Sequence, residues 1–78
     1  MKITTENKAI LWSILDKYDG ISEYKNLCDS LSHIIQDKTN NTDILAVYQS
    51  LLTIDMIDKK KIDSTIGDEI DVCLFYLE

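Results

Sequence analysis

His33, Cys28 and Cys73 are the side chains here best suited to covalent or metal chemistry, and their spacing decides whether they can perform any. A catalytic set needs a nucleophile or base held against a partner. His33, the single histidine, adjoins Ile34 and lies one helical turn from Asp29 and Asp37, the setting of a surface histidine with carboxylate neighbours. Cys28 precedes it by five residues, a separation that puts the two on different sides of a helix. Neither cysteine belongs to a CxxC or Cys/His cluster, and two are too few for a disulfide framework. Set in Leu27-Cys28 and Val72-Cys73-Leu74, they read as small buried hydrophobes of a reducing compartment. A bridge between them would require the fold to bring the two segments together.

Phosphate cradles need glycine-rich loops, and the only glycines, Gly20 and Gly67, form neither GxGxxG nor GxxxxGK. Asp68, Glu69 and Asp71 crowd three carboxylates into four residues but lack the alternating ligands and terminal glutamate of a calcium loop. The expectation is a protein that is not an enzyme, with no metal and no cofactor.

Charge says more. Residues 1–39 carry five lysines against six acids, whereas residues 40–78 carry three against eight, so most of the net charge of −6 lies in the second half. There is no arginine, the side chain best suited to bidentate capture of phosphate or guanine. No stretch resembles a secretion signal, and no run of about 18 apolar residues could span a bilayer. These features predict a cytoplasmic protein, of its own cell or of a host cell, without membrane association. A chain of 78 residues holds one domain, 1–78, whose core rarely supplies more than about 3–5 kcal/mol unaided, which raises the value of a partner or a homodimer.

The elements that must position these groups follow from hydrophobic period. Thr4 or Thr5 caps a first helix carrying Ile10, Leu11, Ile14, Leu15 and Tyr18, and Gly20 ends it. Ser22 caps a second, with Tyr24, Leu27, Cys28, Leu31, Ile34 and Ile35 in the same period. After Thr39-Asn40-Asn41-Thr42, Thr42 or Asp43 opens a third, whose wide stripe (Ile44, Leu45, Val47, Tyr48, Leu51, Leu52, Ile54) predicts packing on two sides. Residues 59–78 fork. As a helix they align Ile62, Ile66, Ile70, Cys73, Leu74 and Leu77 behind a Ser64 or Thr65 cap. Yet Asp63, Ser64, Thr65, Gly67, Asp68, Asp71 and Val72 are poor helix formers. Read with period two, Ile62-Ser64-Ile66 and Ile70-Val72-Leu74-Tyr76 are strands joined at Gly67-Asp68. The hairpin is the favoured reading: a mainly α (α+β) domain of three helices and a C-terminal β-hairpin, with an all-α four-helix bundle as the alternative.

That order resembles the winged helix-turn-helix superfamily. Asp19-Gly20-Ile21-Ser22 is similar to its short first strand, and Leu51-Leu52-Thr53-Ile54-Asp55-Met56-Ile57-Asp58-Lys59-Lys60 to the end of helix three entering the wing. The chain departs from the pattern in the long Ser32–Thr42 connection and in Asp55, where a glycine is common. The resemblance implies a DNA-binding regulator, and charge opposes it. Duplex affinity comes largely from cations on phosphate, and no basic residue occurs between Asp43 and Asp58. Lys59, Lys60 and Lys61 complement a helix end or decorate the wing.

A protein partner with a basic surface is the better expectation, with nucleic acid disfavoured. Asp55, Asp58, Asp63, Asp68, Glu69 and Asp71 would form a negative patch if a hairpin gathers them, and Trp12, Tyr48 or Tyr76 would supply an aromatic centre. Trp12 falls off the first helix's stripe, so it is either covered by the C-terminal segment, as favoured here, or exposed as an anchor. The sequence thus points to a small acidic protein that occludes or escorts a basic macromolecule, of the immunity-protein, antitoxin or phage-encoded inhibitor type.

Overall fold

The computed structural model describes residues 2–77 and contains four α-helices: α1 (Thr5–Tyr18), α2 (Lys25–Ile35), α3 (Asn41–Ser50) and α4 (Met56–Leu77), with a 3-10 turn at Ser22–Tyr24 before α2. Thr4 caps α1, its hydroxyl accepting from Asn7 N at 3.1 Å. The turn after α1 runs through Gly20 at φ +83°, a left-handed conformation that glycine adopts without cost. Where α2 ends no glycine is present. Asp37 takes the left-handed position (φ 57°), with Lys38 N donating to His33 O and Asp37 N to Ile34 O in a Schellman arrangement. Its carboxylate then accepts from Ile3 N and Lys8 Nζ, which ties the end of α2 to the start of α1. Asn40 and Asp43 form a reciprocal capping box at the start of α3.

Each helix packs on its two neighbours in sequence, and α4 closes the ring against α1. Short turns at 19–24, 36–40 and 51–55 make consecutive helices antiparallel, giving an up-down-up-down bundle. Leu11, Ile14 and Tyr18 of α1, Leu27, Leu31 and Ile34 of α2, Ile44, Val47 and Leu51 from α3 and its C-cap, and Ile62, Ile66, Ile70 and Cys73 of α4 share one core. The two-sided packing expected of the third helix is present, since α3 meets both α2 and α4. Its Leu52 extension is the exception, standing in solvent just past the helix.

The C-terminal hairpin is absent: residues 56–77 form one helix, and there is no strand among the described residues. The all-α alternative fits. With the wing goes the winged-helix likeness, and the expected first strand at Asp19–Ser22 is a turn leading into the 3-10 segment. The physical reason lies in spacing. Asp58, Ile62, Ile66, Ile70 and Cys73 recur every three or four residues and all bury on one side of α4. Each large apolar side chain fully buried contributes about 1.5–3 kcal/mol, against about 0.5–1 kcal/mol per unfavourable residue in propensity. A lone two-stranded hairpin is marginal in water. The poor helix formers are also accommodated locally. Ser64 and Thr65 donate their hydroxyls back to Lys61 O and Ile62 O, and the helix bends at Ile66 (φ −130°, ψ 15°). The cap of α4 is neither Ser64 nor Thr65 but Asp55, whose Oδ1 accepts from Asp58 N at 2.9 Å. No helix among the described residues is long and apolar enough to cross a membrane.

Candidate functional site

The acids singled out from the sequence divide into two groups. Asp58 is buried and Asp55, still exposed, is engaged beside it where α1 meets the start of α4. Lys17 Nζ lies 2.6 Å from Asp55 and 2.7 Å from Asp58, and the buried Tyr18 hydroxyl donates to Asp58 at 2.8 Å. Tyr24 stacks edge-on against Tyr18 with ring centroids 4.7 Å apart, and its hydroxyl donates to Thr53 O. The hydrogen bond from Lys17, helped by the Asp58 backbone N–H, holds the Asp55 carboxyl down at about 2. Burial, reinforced by the bond to Asp58, pushes the Tyr18 phenol up. This cluster pins two helices and leaves little of Asp58 for a partner.

Asp63, Asp68, Glu69 and Asp71 are exposed along α4, and none takes part in an ion pair among the described residues. Beyond the bend the last three are followed by apolar side chains left in solvent: Val72, Phe75 at 72% exposure and Tyr76 at 79%. Phe75 and Tyr76 meet edge to face, with centroids 5.5 Å apart and planes at 85°. The outward side of the second half of α4 is therefore both acidic and aromatic, and Tyr76 is the one expected aromatic that adjoins the acids. Tyr48 is half-buried against the core on α3. Trp12, expected in the core, is 52% exposed. It shares a side of α1 with Lys8, whose partner Asp37 follows α2, whereas α4 is engaged from the side of Lys17. The C-terminal segment does not cover it because that segment is a helix packed on another side of α1 and not a folded-back hairpin.

The groups with covalent potential are not assembled. His33 pairs with neither Asp29 nor Asp37. Its Nδ1 lies 3.0 Å from Asp43 Oδ1, joining α2 to the capping box of α3. Cys28 opens into a shallow groove of about 350 Å³ lined by Asp19, Ser22, Lys25 and Asp29, but Lys25 is engaged by Asp29 at 2.9 Å. Burial, with Asp19 and Asp29 adding to it, pushes the Cys28 thiol up, so it stays protonated and weakly nucleophilic. Cys73 is buried, its thiol 3.9 Å from Asn41 O, and both cysteines are free. Among the described residues no three His, Cys, Asp or Glu side chains gather as metal ligands would.

Sequence reasoning missed Val72 and Phe75 as exposed groups because the hairpin reading set Val72 on one strand face with Ile70, Leu74 and Tyr76 and gave Phe75 no part. Helical phase fixed by Ile62, Ile66 and Ile70 would have placed both outside. Lys17 was also missed, since its contacts to Asp55 and Asp58 lie about 40 positions away in sequence and leave no local signal. No protein-family model, curated protein or solved structure matches the chain.

Proposed function

We propose that the chain is a non-enzymatic cytoplasmic protein, acting in its own cell or in a host cell, that docks on a basic protein surface and occludes or escorts it. The observation that carries this reading is the outward side of α4 beyond Ile66, where three unpaired carboxylates, Asp68, Glu69 and Asp71, flank the exposed Val72, Phe75 and Tyr76. Exposed aromatics of this kind act as anchors in interfaces, and a negative rim speeds and orients the approach of a positive partner. The net charge of −6 supports the same polarity. Occlusion needs no moving parts and no reactive group, in keeping with a protonated Cys28 and a His33 held by Asp43. Immunity proteins, antitoxins and phage-encoded inhibitors work in this manner.

A DNA-binding regulator has no comparable support. The wing is missing, α3 contains no lysine, and the carboxylates of α4 repel phosphate. Salt-titrated binding to immobilised polylysine and to duplex DNA separates the two. The expected result is salt-sensitive retention on polylysine that is lost in Asp68→Lys/Asp71→Lys, with no duplex binding. Tight duplex binding that weakens steeply with salt would overturn the proposal.

A further inference from the structure

The solvent side of α4 is complementary to itself. Ile57, Lys61, Ser64, Asp68, Asp71 and Phe75 are all exposed and are separated by four, three, four, three and four residues, which keeps them on one helical stripe. Lys61 is the basic residue of the first half, Asp68 and Asp71 are the acids of the second, and an exposed apolar residue stands at either end. We propose that a second copy of this chain docks on that stripe, with the two α4 helices antiparallel about a two-fold axis passing beside Ile66. In this register Ile57 meets Phe75 of the second copy, Lys61 meets Asp71, and Ser64 meets Asp68. The two-fold repeats every contact, as an isologous interface requires.

Two features favour a copy of the chain over a partner of one sign. Lys60 and Lys61, like Asp68 and Asp71, have no ion-pair partner among the described residues. The lysines also lie on the other side of the bend from Asp68 and Asp71, so the exposed side of α4 carries both signs. A purely basic partner would leave them facing like charge, whereas the reversed stripe of a second copy answers both halves. The interface is one helix wide and, because α4 bends at Ile66, shorter than the about 33 Å of a straight 22-residue helix. It belongs with small, weak contacts of less than roughly 1,200 Å². The dimer covers Asp68, Asp71 and Phe75, so self-association and docking on a basic partner exclude one another. The inference itself does not depend on that docking.

Sedimentation equilibrium of the full chain tests it. Wild type is expected to show a concentration-dependent monomer–dimer equilibrium. Lys60→Asp/Lys61→Asp and Asp68→Lys/Asp71→Lys are each expected to weaken it at least about tenfold, and their equimolar mixture to recover a dimer, since each variant then meets the opposite charge. Phe75→Ser, at an exposed site, is expected to weaken it without changing helicity. A chain monomeric up to about 1 mM, a dimer indifferent to these substitutions, or no recovery on mixing would overturn the proposal. A monomer that still binds polylysine would defeat the dimer alone, and a dimer blind to polylysine at every dilution would defeat the docking alone.

Discussion

Gly67→Ala separates a helical C-terminal segment from a hairpin by the sign of its effect. In the structure Gly67 lies inside α4, one residue past the bend, and a Cβ built there meets only Asp63 Cβ at 3.7 Å, an ordinary contact. Replacing glycine by alanine at such a helical position stabilises by about 0.5–1 kcal/mol, chiefly through lost freedom of the unfolded chain. For a domain of 60–100 residues this raises Tm by about 2–8 °C. A Gly-Asp hairpin turn would place Gly67 in a left-handed conformation, and the same change would then destabilise by about 1–2 kcal/mol. Gly20→Ala is the internal control, since Gly20 has φ +83° with nothing within 4 Å of its Cβ, so its cost is purely that of the backbone. Thermal and urea unfolding followed by far-ultraviolet circular dichroism, with equal m values, reads both. A gain for Gly67→Ala beside a loss for Gly20→Ala is expected, and a loss at both positions would refute the helical placement.

Asp58→Ala removes the acceptor of the Tyr18 hydroxyl and one of the two carboxylates on Lys17, and is expected to cost about 2–3 kcal/mol in urea unfolding, with Tyr18→Phe costing about 1 kcal/mol. A cost within about 0.5 kcal/mol of zero for Asp58→Ala would remove that cluster as the link between α1 and α4. Acid behaviour follows from Asp55, held at about 2 by Lys17, and from Asp37, lowered by Lys8 and the Ile3 N–H. Depressed carboxyls stabilise above their unfolded value of about 3.9 and lose that contribution as pH falls through the folded value, so the urea midpoint should drop between about pH 4 and 2. Asp55→Asn should flatten that drop, and an unchanged profile would contradict the assignment. Iodoacetamide should modify Cys28 more slowly than free cysteine, because burial raises its thiol, and Cys73 only on unfolding, whereas reaction of both at the free rate would show the thiols to be exposed.

Three of the four helices could be read from the sequence because their apolar residues keep one period, although α2 begins without the side-chain cap expected at Ser22 and α3 is capped by Asn40 rather than opening at Thr42 or Asp43. Thr4 caps α1 as expected, and Gly20 ends it. Two ends were hidden for definite reasons. Asp37 occupies the left-handed position usually given to glycine and is held there by Lys8 and Ile3, contacts that a local reading does not contain. The fourth helix was obscured by Ser64, Thr65, Gly67 and Val72, whose propensities oppose what burial of Ile62, Ile66 and Ile70 imposes. The cap at Asp55 carries the same lesson: a residue read as a departure from a winged-helix bend is the helix start. Of the candidate surface, the acidity of the second half was visible in the composition, and Asp68, Glu69, Asp71 and Tyr76 are all exposed on α4. The withdrawal of Asp55 and Asp58 was not visible, since it depends on Lys17 and Tyr18, about 40 positions away in sequence.

Docking through the acidic, aromatic half of α4 is tested most directly by affinity capture from the native cell with wild type and Asp68→Lys/Asp71→Lys side by side, followed by titration calorimetry on the captured protein. The account predicts a one-to-one partner with a basic surface whose affinity falls at least about tenfold on charge reversal and declines with salt. A partner retained equally by both forms, or a folded chain that captures none, would contradict it.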